Sequence, residues 1–165
     1  MRNADAIEQL RAELRQDFDI IAMNHSKNRE MTERIAASAQ AGEFDYAALG
    51  YTLHNLYNAL EAYFLRIAKF FENNLEESEW HRSLVRRMTL EISGVRPALF
   101  DRDFAVRVDE LMRFRHLFRN LYQTPLVPEK VQFANRSAEG LLEEFLRYHQ
   151  EFDSFLHDLK SRLEE

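Results

Sequence analysis

The sequence predicts an all-α fold, an antiparallel bundle of about five helices. Three observations carry this: only 4 Gly and 3 Pro punctuate 165 residues, apolar residues recur at helical spacing through nearly every segment, and strand-like alternation is nowhere sustained. A hydrophobic content of 45% and a charged content of 30% are globular values, which exclude a disordered or collagen-like chain. The length suits one domain, residues 1–165.

The first helix is expected from about Asp5 to Ala39, with Ile7, Leu10, Leu14, Phe18 and Ile21 on one face and Gly42 beyond its end. The second runs from about Phe44 to Glu72 on Tyr46, Leu49, Leu53, Leu56, Leu60, Phe64, Ile67 and Phe71, and Asn73–Asn74 breaks it. A third, about Ser78 to Ile92, uses Trp80, Leu84, Met88 and Ile92 and stops before Gly94 and Pro97. The fourth starts near Asp101, where Asp101 or Asp103 suits a cap, and continues through Phe104, Val108, Leu111 and Phe118 to Tyr122, with Pro125 and Pro128 ending it. The last, about Ser137 to Leu163, carries Leu141, Phe145, Tyr148, Phe152, Phe155 and Leu159 on one stripe.

Cysteine is absent, which removes disulfides, thiolate metal sites and cysteine nucleophiles. No secretory leader is legible at the N-terminus and no apolar run reaches the ~20 residues of a membrane span, so the expected location is the cytoplasm, away from membranes. The net charge of -6 argues against wholesale nucleic-acid binding, but the charge is unevenly spread. Residues 80–119 hold 9 Arg against 5 acidic residues, while both flanks are acidic. Arginine's planar fork suits phosphate, although a solvated surface helix also accounts for such a run.

Among motifs with chemistry, no Gly-rich phosphate loop, Gly-x-Ser-x-Gly elbow or Glu-x-x-His pair exists. His149, Asp153 and His157 share one helical face, but acidic neighbours there favour a solvated face, so neither metal nor cofactor is expected. His25, His54 and His81 stand apart and read as structural or surface histidines. The densest polar stretch is Arg113-Phe114-Arg115-His116-Leu117-Phe118-Arg119-Asn120-Leu121-Tyr122. If the helix runs on to Tyr122, Arg119 and Tyr122 each lie within about 40° of Arg115 at 100° per residue, so the three share a face. Two guanidinium groups and a phenol on one face suit a phosphodiester, with His116 and Asn120 at its side; a helix end balancing its own dipole is the plainer account.

Phe114-Arg115-His116-Leu117-Phe118-Arg119-Asn120-Leu121-Tyr122 resembles the signature of HepT-like proteins, ribonuclease toxins of the HEPN superfamily, whose pattern is Arg, four residues, His, one residue, Tyr. The segments Tyr57-Asn58-Ala59-Leu60-Glu61, Trp80 to Met88 and Val95-Arg96-Pro97 are also similar to a branch of that family. Asn120 stands where the family has its catalytic His. The resemblance implies a HEPN-like bundle, a homodimer with a shared cleft, and metal-independent RNA cleavage with Arg115 at the phosphate and Arg113 and Arg119 contacting RNA.

A carboxamide does not titrate near neutral pH, so Asn120 weakens or silences that chemistry unless another group, His116 first, substitutes. The resemblance further implies a minimal nucleotidyltransferase antitoxin that transfers AMP to Tyr122. Glu61 is a weaker candidate: buried on the second helix it would orient an Arg, while an exposed Glu is the commoner case. The alternative is a non-catalytic helical dimer that binds RNA, a nucleotide or the partner. A purely structural dimer, with its Arg cluster serving solubility, is the third reading.

Overall fold

The computed structural model describes residues 3–72 and 77–165, with the side chains of residues 77–82 excepted. It is a helical bundle of α1 (Ala4–Ala37), α2 (Glu43–Phe71), α3 (Glu77–Met88), α4 (Arg102–Arg119), α5 (Pro128–Ala138) and α6 (Leu141–Glu164). An isolated bridge between Ile92 and Arg96 is the nearest thing to a strand among the described residues. No described helix is long and apolar enough to cross a membrane.

Capping chemistry fixes where the helices begin. Asn3 accepts from the Ala6 N–H at 2.8 Å and starts α1, and the Asp45 carboxylate accepts from the Gly42 N–H at 2.8 Å and starts α2. Of the two capping candidates for α4, Asp101 is the one used, accepting from the Phe104 N–H at 2.8 Å.

Helix ends differ from the expectation in three places. The third helix stops at Met88 rather than Ile92, because Thr89 and Leu90 turn back onto the carbonyls of Arg86 and Arg87. The fourth stops at Arg119, with Asn120 as its C-cap, so Tyr122 lies in the following turn. The segment expected as a proline-bounded loop holds a further short helix, α5: Pro128 occupies its first turn, where proline's missing N–H costs nothing, and so begins a helix as well as following one. Gly140, at φ +65°, separates α5 from α6, so the helix expected from Ser137 starts at Leu141 and Ser137 belongs to the end of α5. Asn73–Asn74 lie outside the described residues, as does the side chain of Trp80.

The core forms around α2, which packs against α1, α3, α4 and α5. Leu53, Leu56, Leu60, Phe64 and Ile67 are fully buried, as the apolar stripe predicts. Phenylalanines fill the rest in stacked, tilted and edge-on contacts: around Phe145, Tyr63 packs edge-on at 5.0 Å and Phe104 stacks at 6.0 Å between ring centroids. Gly50 lets α2 and α4 approach, since a Cβ there would lie 2.8 Å from Phe118 Cε2 and 3.2 Å from Phe114 Cζ. That approach sets the end of α4 against the first half of α2.

The link from α3 to α4 is held by Arg96. This buried guanidinium donates to Glu72 Oε1 through Nε and Nη2, to the carbonyls of Leu90 and Pro97 through Nη1, and to the Arg87 carbonyl through Nη2. The face expected to be solvated on α6 is not uniformly so. His149 is buried with its Nδ1 2.7 Å from the Tyr63 hydroxyl, Asp153 pairs with Arg11 at 2.8 Å, and only His157 is exposed. Among the described residues no cluster of three His, Asp or Glu is placed to hold a metal ion.

Candidate site between the second and fourth helices

Arg115 points inward from the last turns of α4. Its side chain is 4% exposed, and its Nη1 lies 3.0 Å from Glu61 Oε1 and 3.1 Å from Asn58 Oδ1, both on α2. Its Cζ sits 4.4 Å from the centroid of the Tyr57 ring. The helical period explains why α2 supplies all three partners: residues 57, 58 and 61 recur at offsets of one, three and four, so they share one side of the helix. Glu61 therefore does hold an Arg. Burial, followed by the Glu61 charge, pushes the Tyr57 phenol far above its ordinary range, which keeps it neutral.

One of the donors of Arg115 is left over. Its Nε is buried with no hydrogen-bond partner among the described residues. Such a group carries the desolvation penalty of an unmade bond.

Outside this buried pair the motif is open. Arg119, Asn120, His116 and Tyr122 are exposed, Tyr122 at 82%. Arg119 makes no ion pair among the described residues, whereas Arg113 pairs with Glu110 at 2.7 Å. Asn120 folds back on the helix, its Nδ2 donating to the His116 carbonyl at 2.9 Å while its backbone N–H serves the Leu117 and Phe118 carbonyls. The Tyr122 hydroxyl accepts from Gln123 Nε2 at 2.8 Å. The structure thus divides what the helical wheel put on one face: Arg115 turns into the protein, Arg119 reaches solvent, and Tyr122 projects from the turn.

His54 also belongs to this place, although the sequence left it isolated. Its Nε2 lies 3.1 Å from Asn58 Nδ2, its ring centroid is 5.6 Å from that of Phe118, and its Nδ1 is buried without a partner. Burial first, then the charges of Arg119 and Arg115, hold this imidazole below its ordinary range and so favour the neutral ring. The signal was available only weakly: His54 and Asn58 are one helical turn apart, but nothing in the sequence says that α4 covers them.

The arrangement places an exposed Arg119 at the surface in front of a buried Arg115–Glu61 ion pair. The negative end of the α4 dipole disfavours an anion there, so exposed cations must overcome it; Arg113 and Arg119 are both exposed, and Arg113 is paired with Glu110. A match to the family of HepT-like proteins spans residues 48–158, about two thirds of the chain and all of the site just described.

The chain is a HepT-like protein. No curated protein and no solved structure matches it. Within the HepT-like stretch fall Arg115, its partners Tyr57, Asn58 and Glu61, the exposed Arg119 and Tyr122, and Asn120 at the helix end. The similar segment around Val95-Arg96-Pro97 is the buried brace of the α3–α4 link, and the side chains of Trp80, His81 and Arg82 lie outside the described residues.

Proposed function

We propose that the chain, residues 1–165, is one domain that forms a homodimer and acts as the RNA-directed toxin of a toxin–antitoxin pair in the cytoplasm. RNA lies along the C-terminal end of α4, where Arg119 contacts phosphate directly and Arg113, drawn partly to Glu110, contributes less. Arg115 supplies positive charge from behind that surface, held in place by Glu61 and Asn58. The observation that carries the reading is a buried Arg115, ion-paired to Glu61, one turn before an exposed Arg119 that makes no ion pair among the described residues, inside a family match that covers both.

Cleavage requires the ribose 2′-oxygen to attack the adjacent phosphorus while a group removes its proton. Asn120 cannot remove that proton, so the activity is weak. Exposed phenylalanine and tyrosine side chains at Phe44, Tyr51 and Phe133 support a partner copy.

Tyr122 is the residue to which a minimal nucleotidyltransferase would attach AMP. Tyr57, Tyr63 and Tyr148 are buried, whereas Tyr122 is four-fifths exposed beside Arg119. An added phosphate would occupy the cations that RNA needs. The test is mass spectrometry of the chain co-expressed with such a transferase, together with binding of a mixed-sequence RNA pool before and after modification. AMP at Tyr122 and lost RNA binding are expected. AMP on Tyr46 or Tyr51, or none with an active transferase, would contradict the antitoxin reading.

The second reading is a non-catalytic dimer that binds RNA, a nucleotide or the transferase. It is favoured by Asn120, whose side chain is spent capping its own helix.

A further inference from the structure

The hydrogen bonds running from α4 to His54 have a fixed direction. Arg115 has only donors, so the Asn58 atom facing its Nη1 must be the carbonyl oxygen. The other end of that carboxamide, Nδ2, is then a donor and faces His54 Nε2 at 3.1 Å. Nε2 must accept. A neutral imidazole that accepts at Nε2 carries its proton on Nδ1, so Glu61, Arg115 and Asn58 together select one tautomer, with the basic lone pair at Nε2.

We propose that His54 is the proton-transferring group of this HepT-like site, the general base whose Nε2 takes the 2′-hydroxyl proton of RNA held at Arg119. This rests on the RNA reading above and replaces His116 as the substitute for the missing motif histidine. His116 is exposed on the flank of α4 that also carries Asn120. His54 instead lies on the stripe of α2 that faces Arg115 and Phe118.

Its half-buried ring, packed on Phe118, has few rotamers to lose when RNA binds. Asn58 acts as a positioning residue: it holds the lone pair until a ribose hydroxyl replaces it as donor. The charges acting on His54 are Arg119 and Arg115, both from α4, and both disfavour the imidazolium, which leaves the ring available as a base at neutral pH.

In the reaction the 2′-O–H proton goes to Nε2 as the 2′-oxygen bonds to phosphorus. The bond from phosphorus to the 5′-oxygen breaks, that oxygen takes a proton from water, and the imidazolium returns its proton to solvent. The products are a 2′,3′-cyclic phosphate and a 5′-hydroxyl, and no metal or redox partner is needed.

The test uses the full chain, a labelled mixed-sequence RNA pool and the same pool methylated at every 2′-oxygen, in EDTA. The wild type is expected to bind both pools and cleave only the first, and His54→Gln, which keeps shape and hydrogen bonding but does not titrate, should retain binding and lose about 10²-fold in cleavage. Wild-type cleavage should decline as pH is lowered, with a midpoint below the ordinary histidine value of about 6.5. That decline should be absent from the residual activity of His54→Gln.

Nitrogen-15 spectra of the free protein should show the proton on Nδ1, and Asn58→Ala should lose that preference. A folded His54→Gln that cleaves as well as the wild type, or a wild type that binds the pool without cutting it, overturns the role of His54 and leaves RNA binding standing. A wild type that neither binds nor cuts overturns both. Nitrogen-15 spectra with the proton on Nε2 overturn the direction of the relay.

Discussion

Arg96 and Arg115 are both almost wholly buried and both ion-paired, yet their donors are used very differently. Arg96 spends Nε, Nη1 and Nη2 on Glu72 and on three backbone carbonyls. Arg115 makes its bonds through Nη1 and leaves Nε empty. A buried cation with every donor satisfied is a brace, because nothing remains for a ligand to gain. One with a donor unused among the described residues, beside an exposed Arg and a neutral histidine, is a candidate site. Burial alone does not separate the two, and hydrogen-bond accounting does.

The largest expected effect breaks the brace. Arg96→Ala leaves Glu72 without its main partner and should cost about 3–5 kcal/mol in denaturant unfolding. The fraction that remains folded should bind RNA as the wild type does. A loss under about 1 kcal/mol would mean that Arg96 does not brace the α3–α4 link.

At the other arginine, the double change Glu61→Leu with Arg115→Met replaces the pair by apolar groups of similar size and should stay within about 1 kcal/mol of wild-type stability. It should nevertheless lose RNA cleavage, since it removes both the buried charge and the anchor of Asn58. Stability and cleavage falling together in proportion would make Arg115 a second brace.

A third, smaller effect is on the pH dependence of stability. Burial holds both His149 and His54 below the ordinary histidine value, so the unfolded chain binds more protons than the folded one once pH falls below about 6.5. Stability is full above that pH and should decline as pH drops towards the folded-state values. His149→Gln and His54→Gln should each flatten part of the decline, as read from urea midpoints between pH 7.5 and 5. A midpoint that rises on acidification would contradict the assignment.

The smallest stability effect belongs to Arg119→Ala, within about 0.5 kcal/mol of wild type because the side chain is exposed. It should still weaken RNA binding and lower the salt slope by about 0.7, the loss of one phosphate contact on a single strand. Arg113→Ala should do less, since Glu110 already holds that side chain.

The bundle was legible in the sequence because its stripes are long. Ile7, Leu10, Leu14 and Ile21 are buried as their spacing implies, and Asp101 caps as its position implies. α5 is hidden in the sequence because Pro125 and Pro128 read as helix stops, while Pro128 sits in a first turn that tolerates it. In the site, the motif located Arg115 and Arg119, but periodicity could not say which faces the core. That depends on α4 meeting α2 across Gly50. His54 was invisible for the same reason: its partners, through Asn58, lie more than fifty residues away on another helix.

Asn120→His tests most directly whether this end of α4 is a ribonuclease site weakened by the loss of the motif imidazole, with His54 a less effective substitute for it. Cleavage of the mixed-sequence RNA pool in EDTA should rise by at least ~10²-fold over the wild type, the lower end of the gain from a placed acid–base group. Cleavage that stays at the wild-type level in a folded Asn120→His protein that still binds RNA would contradict that reading, as would a gain that EDTA abolishes.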